Sequence, residues 1–138
     1  MNDTRIQQLF ESYKRAFIDY DINGVIDCYH LPCTLNTPDK VALLVDQDDF
    51  QNEFSAIFKQ LQDANTSNII AQQASFQQVS EQVYLVCIDW DFIDEQGQVF
   101  ADFTAIYHVL DVDKGLKIVN VASHDLSNSL TLAQTMTL

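Results

Sequence analysis

The sequence has little positive charge. Its 7 Lys and Arg residues stand against 20 Asp and Glu residues, which gives a formal net charge of −13 at pH 7. A surface this acidic repels phosphate backbones and anionic lipid headgroups. We therefore expect no nucleic-acid partner and no membrane partner.

Cysteine is scarce as well. The sequence has three cysteines, Cys28, Cys33 and Cys87, so at least one has no partner for a disulfide within the chain. They form neither a C-x-x-C pair nor a Cys/His spacing typical of zinc sites. Buried free thiols in a reducing cytoplasm are the favoured interpretation. The sequence also has no Gly-rich phosphate loop and no nucleophile elbow, so no metal and no cofactor are predicted.

Long apolar runs are missing too. No stretch approaches the ~20 residues that a membrane span needs. The first five residues lead directly into an amphipathic pattern, so no signal peptide is expected. The chain has 138 residues, of which 47% are hydrophobic, enough for one domain with a real core. We predict a single domain over 1–138, with a core at about 4–126 and a tail at 127–138.

The first third of the chain reads as two helices. Apolar residues at helical spacing predict a helix from about Arg5 to Tyr20, begun by a capping box at Thr4. Asp21 is the predicted N-cap of a second, shorter helix. Its apolar stripe runs to Tyr29, and the helix is expected to end at 30–32, because the residue that precedes a proline avoids the helical region.

The rest of the chain reads as strands around a third helix. Asp46 is the predicted N-cap of that helix, which carries a strong apolar stripe. Two tight turns, each containing a glycine, separate the last three long runs, as in an antiparallel meander. The predicted strands are two short ones, 33–36 and 41–45, followed by four long ones, 69–79, 83–93, 99–110 and 116–125. Leu126–Leu138 is expected to be a frayed tail, or else a segment docked on a partner.

Alternation along the meander assigns the faces of its strands. Trp90 is expected to face inward, and Asp89 and Asp91 to face solvent. Tyr107 falls on the apolar face of the next strand. The last strand is ambiguous, since a β-bulge would exchange its two faces partway along.

This order of elements, α-α-β-β-α followed by four long strands, resembles the nuclear transport factor 2-like superfamily, and most of all its SnoaL-like branch. The resemblance spans roughly residues 4 to 126. It rests on the long first helix, the acidic third helix and three segments: D-I-N-G-V-I-D-C-Y-H, C-T-L-N-T-P and G-L-K-I-V-N-V-A-S-H-D.

The resemblance implies an α+β, cystatin-like cone in which a strongly bent antiparallel sheet wraps around the helices and encloses an apolar cavity. It also implies a homodimer that forms through the sheet. The superfamily holds isomerases, cyclases, dehydratases and transport factors, so the fold alone does not settle the function.

Ketosteroid isomerases of this superfamily use an Asp base, with a Tyr and a protonated Asp that hold the developing oxyanion. By resemblance, the base position is Thr37 and the second Asp position is Phe103, and neither side chain ionises usefully. Asp102 is adjacent, but a shift of one residue reverses its face. Only the tyrosine is retained, as Tyr13.

A different set of residues could line the cavity. Tyr13, Trp90, Tyr107 and Asn120 are the predicted ligand-binding residues, and His124 is the candidate proton-transfer residue. Each of them could instead have a structural role in the core. Two functions stay open: a domain that binds a small apolar molecule, with or without cofactor-free isomerase, cyclase or lyase chemistry, and a dimeric interaction module without chemistry.

Overall fold

A computed structural model of the chain describes residues 2–113 and 115–138. Lys114, in the second predicted turn of the meander, lies outside the described residues, as does Met1. The described elements follow in this order: α1 (Asn2–Ile18), α2 (Ile22–Ile26), β1 (Tyr29–Asn36), β2 (Val41–Leu44), α3 (Gln47–Asp63), β3 (Thr66–Ser80), β4 (Val83–Asp94), β5 (Val99–Val112), β6 (Gly115–His124), a 3₁₀ helix (Leu126–Asn128) and β7 (Gln134–Met136).

The strands form one seven-stranded sheet in the order β2-β1-β6-β5-β4-β3-β7. The meander β3-β4-β5-β6 is antiparallel throughout, as the sequence predicts. The pairing of β1 with β6 is parallel, which corrects the expectation of a wholly antiparallel sheet. These two strands are far apart in sequence, so no hairpin turn requires them to run in opposite directions.

The helices pack on the inner face of the curled sheet, and the core lies between them and the long strands. Both predicted N-caps are confirmed: the Asp21 carboxylate accepts from the backbone N–H of Gly24, and the Asp46 carboxylate accepts from that of Asp49. Trp90 faces inward, as predicted, and is 2% exposed.

Some predicted boundaries are wrong. The first helix begins at Asn2, so Thr4 lies inside its first turn and does not precede it. The second helix ends at Ile26, and Pro32 lies within β1, which begins at Tyr29. The chain leaves the helix early because β1 pairs with β6, a contact that local sequence does not encode.

A β-bulge resolves the two faces of β6. Ile118 lies opposite Val109, but Asn120 lies opposite His108, so Val119 is the extra residue. Ile118 and Val121 are therefore both buried on the inner face, although they are three residues apart. Beyond the bulge, Asn120 faces outward.

The segment after β6 is docked on the sheet of its own chain, which corrects the expectation of a frayed tail. Its end forms β7, antiparallel to β3, with Thr135 opposite Ser75. It also covers Asp89, which is 8% exposed although the alternation predicts a solvated carboxylate. The Asp89 carboxylate accepts hydrogen bonds from the hydroxyls of Thr104 and Ser129, at 2.8 and 2.7 Å.

Candidate functional site

A cavity of about 610 Å³ opens between α1, α3 and the inner face of the sheet. Its wall is mainly aromatic, because inward positions of β4 and β5 meet the apolar stripes of both helices. The aromatic lining residues are Tyr13, Phe17, Tyr29, Phe54, Trp90, Phe92, Phe100, Phe103 and Tyr107. A concave, mostly apolar site with a few polar groups is the usual form of a small-molecule site.

Four buried polar groups lie inside this aromatic wall. The Trp90 Nε1–H donates to the Tyr107 hydroxyl oxygen at 2.8 Å, and the hydroxyls of Tyr13 and Tyr29 lie 3.3 Å apart. The rings of Tyr13 and Tyr107 pack edge to face, with centroids 5.7 Å apart. The two hydrogen-bonded pairs thus form one cluster, which three of the predicted residues, Tyr13, Trp90 and Tyr107, share with Tyr29.

This cluster holds more donors than it uses. The indole contributes one N–H, and each phenol contributes one O–H, so four protons are present. The two hydrogen bonds consume two of them. A third bond, between Tyr107 and Tyr13, would still leave one O–H without an acceptor in the cluster. An acceptor atom on a bound molecule would satisfy that donor.

Burial holds the pKa of the Tyr13, Tyr29 and Tyr107 hydroxyls well above the ordinary value of 10.0. The anionic phenolate is disfavoured in an apolar wall, and the neighbouring hydroxyls disfavour it further. All three groups are therefore neutral donors at physiological pH.

We expect the free energy of unfolding to fall as the pH rises above about 10. The three buried tyrosines keep their protons in the folded chain, whereas in the unfolded chain they ionise near their ordinary pKa of 10.0. The unfolded chain then binds fewer protons, so the slope is negative, about 1.4 kcal/mol per pH unit for each tyrosine. Urea unfolding at several pH values measures it. Tyr107→Phe should flatten the slope by the share of one tyrosine, and an unchanged slope would contradict this account.

The mouth of the cavity is polar. Lys14 lies on its α1 side, and Asp102 and Asp125 lie at the sheet side, both exposed. The backbone N–H of Ser127 lowers the pKa of the Asp125 carboxyl, so that group stays ionised at neutral pH. Among the described lining residues, the carboxylates thus lie at the rim and not beside the tyrosines.

The two isomerase-related positions both reach the cavity. Thr37 lies at the mouth, at the start of the β1–β2 connection, and Phe103 lies on β5 opposite Trp90. At these two positions the cavity is thus lined by a hydroxyl and a phenyl ring, and not by carboxylates.

His124 ends β6 at the rim of the cavity. It lies opposite Thr104, on the outer side of the sheet, and its Nε2 is 3.2 Å from the backbone oxygen of Asn128. A carbonyl oxygen only accepts, so this contact requires the proton on Nε2. The ring thus contacts the backbone of the segment that follows it.

Asn120 does not line the cavity. The bulge turns it to the outer face, where its Oδ1 accepts from Thr34 Oγ1 at 2.6 Å and from Asn36 Nδ2 at 3.0 Å. It joins β6 to β1 there. Tyr29 was missed as a lining residue because its spacing fits the stripe of the second helix, whereas the structure places it on β1.

A second groove, of about 560 Å³, lies between α1, α2 and the start of β6. Two of its basic side chains already have partners within the chain. Arg5 forms a bidentate ion pair with Asp111, and Lys117 Nζ donates to the backbone oxygen of Asp27. The aromatic cavity is therefore the stronger candidate site.

In 2–113 and 115–138, no three His, Cys, Asp or Glu side chains lie close enough to hold a metal ion. No helix in that part of the chain is both long and apolar enough to cross a membrane.

Solved structures share this fold at low sequence identity. An NTF2-like protein of unknown function from Shewanella oneidensis aligns with a TM-score of 0.73 and 16% identity, over 91% of this chain and 100% of that chain. A ketosteroid isomerase-like protein from Erwinia carotovora aligns with a TM-score of 0.70 and 16% identity, over 91% of this chain and 96% of that chain. An NTF2-like protein with a cystatin-like fold from Novosphingobium aromaticivorans aligns with a TM-score of 0.75 and 10% identity, over 91% of this chain and 82% of that chain.

These identities are too low to carry more than the fold, which is the cystatin-like cone that the resemblance implies. No curated protein matches the chain. A family model described as NTF2-like protein (DUF6841) matches residues 2–126, which is nearly the whole chain. The chain therefore belongs to this family of NTF2-like proteins.

Proposed function

We propose that the protein binds a small, largely apolar molecule carrying one hydrogen-bond acceptor, such as a ketone or ether oxygen. One observation carries the proposal: in a buried cluster of four donors beside the cavity, the two hydrogen bonds use only two of the donors. The aromatic wall would hold the apolar body, and a phenol O–H would donate to the oxygen.

We propose binding without proton abstraction. The carboxylates that line the cavity, Asp102 and Asp125, are exposed at its mouth, and the positions related to the isomerase carboxylates are Thr37 and Phe103. A buried base beside the ligand is what isomerase chemistry would need. For His124 we propose a structural role, because its Nε2 contacts the Asn128 carbonyl.

Trp90 provides a direct test because it is the one tryptophan of the sequence and its indole lines the cavity. Quenching of its fluorescence reports on binding of 2-acetylnaphthalene, which carries a ketone, and of 2-ethylnaphthalene, which has nearly the same shape but no acceptor. The ketone should bind about fivefold more tightly, the value of one ordinary hydrogen bond.

Tyr107→Phe should remove most of that preference, because the variant keeps the ring and loses the O–H. Tyr84→Phe is the matched control, since Tyr84 is equally buried but does not line the cavity. If neither naphthalene binds, or if Tyr107→Phe keeps the preference while Tyr84→Phe loses it, the assignment of the site is wrong.

The second candidate function is that of a dimeric interaction module. We propose that the protein forms a homodimer through the outer face of the sheet. Val41 and Leu43 of β2 are 72% and 62% exposed. On the same face, the buried Nε2 of His108 has no hydrogen-bond partner among the described residues. An apolar edge and an unsatisfied buried atom both favour cover by a second chain.

Analytical ultracentrifugation at micromolar concentration should give a dimer mass for the native chain. Leu43→Asp should shift it to the monomer, because the substitution would bury a charge in the contact. Phe100→Asp is the control, since Phe100 is also an exposed apolar residue but lines the cavity. A monomer mass for the native chain would refute the dimer.

We propose the cytoplasm as the site of action. Cys28, Cys33 and Cys87 are all buried free thiols. Burial raises the pKa of Cys28 and of Cys33 to about 11, so both are protonated and unreactive at neutral pH. Free thiols of this kind are the usual state in a reducing compartment.

A further inference from the structure

Residues 126–138, here called the strap, cross the outer face of the sheet from β5 to β3. The Ser129 hydroxyl contacts both carboxylate oxygens of Asp89 on β4, at 2.7 and 2.8 Å. Farther along, the backbone N–H of Leu132 donates to Ser75 Oγ at 2.9 Å, and Gln73 Nε2 donates to Thr131 Oγ1 at 3.1 Å. The strap is thus held by hydrogen bonds along its length, by pairing of β7 with β3, and by packing of Met136 and Leu138 against the core.

Asp89 is the central anchor of the strap. It is buried, and its carboxylate accepts hydrogen bonds from the hydroxyls of Thr104 and Ser129. A buried carboxylate needs its hydrogen bonds, so losing Ser129 would leave it poorly solvated. The contact between Ser129 and Asp89 therefore contributes to docking of the strap.

The strap begins at the mouth of the cavity. His124 and Asp125 both belong to the cavity rim. Asp125 also caps the first turn of the strap, because its Oδ1 accepts from the backbone N–H of Ser127 at 2.8 Å. His124 Nε2 contacts the Asn128 backbone oxygen. One wall of the mouth is therefore made of residues that hold the first turn of the strap.

A short path, made of one strand pairing and two hydrogen bonds, joins the rim to the anchor. Thr104 lies opposite His124 in the β5–β6 pairing and donates to Asp89, which accepts from Ser129. Displacing the strap would release Asn128 from His124 and remove the cap at Asp125. The rim residues His124 and Asp125 would then each lose a hydrogen bond that holds them in place.

We propose that docking of the strap and occupation of the cavity are thermodynamically coupled, because the docked strap holds the rim residues His124 and Asp125 in place. This inference rests on the proposed binding function. Coupling of this kind is reciprocal: whatever loosens the strap weakens binding, and a bound molecule holds the strap down by the same factor.

Cys87 is the reporter for strap opening. Its side chain is 2% exposed, and on the outer face it lies opposite Ser75, the residue whose hydroxyl holds Leu132. Alkylation by iodoacetamide therefore requires local opening of the strap. Cys28 and Cys33 are buried elsewhere and serve as internal references in the same mass spectrum.

The first measurement uses the native chain. Saturating 2-acetylnaphthalene should slow alkylation of Cys87 severalfold and leave the ratio of Cys28 to Cys33 labelling unchanged. If 2-acetylnaphthalene binds by Trp90 quenching but does not slow Cys87, the coupling is refuted and the binding function stands. If it does not bind at all, both proposals fail.

The second measurement uses Ser129→Ala, with Thr137→Ala as the matched control in the same segment. The Ser129 hydroxyl bonds to Asp89, whereas Thr137 is exposed and accepts from Gln7 Nε2 through its backbone oxygen, which alanine keeps. Ser129→Ala should speed Cys87 alkylation by about tenfold and weaken 2-acetylnaphthalene binding in parallel. Thr137→Ala should change neither. Faster alkylation with unchanged binding would overturn the coupling, as would equal effects of the two variants.

Discussion

Replacing Phe54 with alanine is expected to lower the free energy of unfolding by about 3–5 kcal/mol, the usual cost of deleting a buried phenyl group. Phe54 is 2% exposed and joins both helices to the sheet. Its ring stacks on Phe50 with centroids 4.3 Å apart, and it also contacts Phe17 and Tyr29. Deleting it removes these contacts together and extends the existing cavity deeper into the core.

Urea unfolding followed by Trp90 fluorescence measures this loss. Phe100→Ala is the matched control, because Phe100 also lines the cavity but is 39% exposed and contacts Phe92 alone among the aromatic rings. The control should cost less than about 1 kcal/mol, as a half-exposed contact does. Equal losses in the two variants would mean that Phe54 is not the packing centre described above.

Replacing Ala101 with tryptophan is expected to weaken binding of 2-acetylnaphthalene by roughly 10- to 100-fold, which corresponds to the 1–3 kcal/mol that overpacking costs. Ala101 is a small residue of the cavity wall on β5, opposite Phe92. An indole there would occupy the space near the mouth that the ligand needs. The folded state should keep its stability, since the new side chain fills an existing void.

Calorimetric titration measures the binding, because a second tryptophan would confuse the fluorescence of Trp90. Val99→Trp is the control: it introduces the same side chain on the same strand, at an exposed position outside the lining of the cavity. Binding that survives in the Ala101 variant would place the ligand elsewhere. Binding that is lost in both variants would show that the added indole acts through the fold and not through the cavity.

Much of the site could be read from the sequence because strand alternation is a local rule. The pattern around Trp90 and Tyr107 assigns both to the inner face, and their indole and hydroxyl meet there. The hydrogen bond between Tyr13 and Tyr29 could not be predicted, since it depends on β1 lying beside β6.

Asn120 marks the limit of the alternation rule. Its face depends on a single bulge at Val119, and one inserted residue exchanges the two faces of a strand. The sequence is compatible with either face for Asn120, and the register of the β5–β6 pairing determines that it faces outward.

By itself, the sequence determined the order of the helices and the meander, because N-caps such as Asp21 and Asp46 and the apolar periodicities act over a few residues. The path of residues 126–138 was decided only by the tertiary structure. Ser129 meets Asp89 from 40 residues away, and Leu132 meets Ser75 from 57 residues away. A hydroxyl or a carboxylate in a polar segment reads as solvated until a distant strand supplies its partner, so local pattern alone could not distinguish a strap from a frayed end.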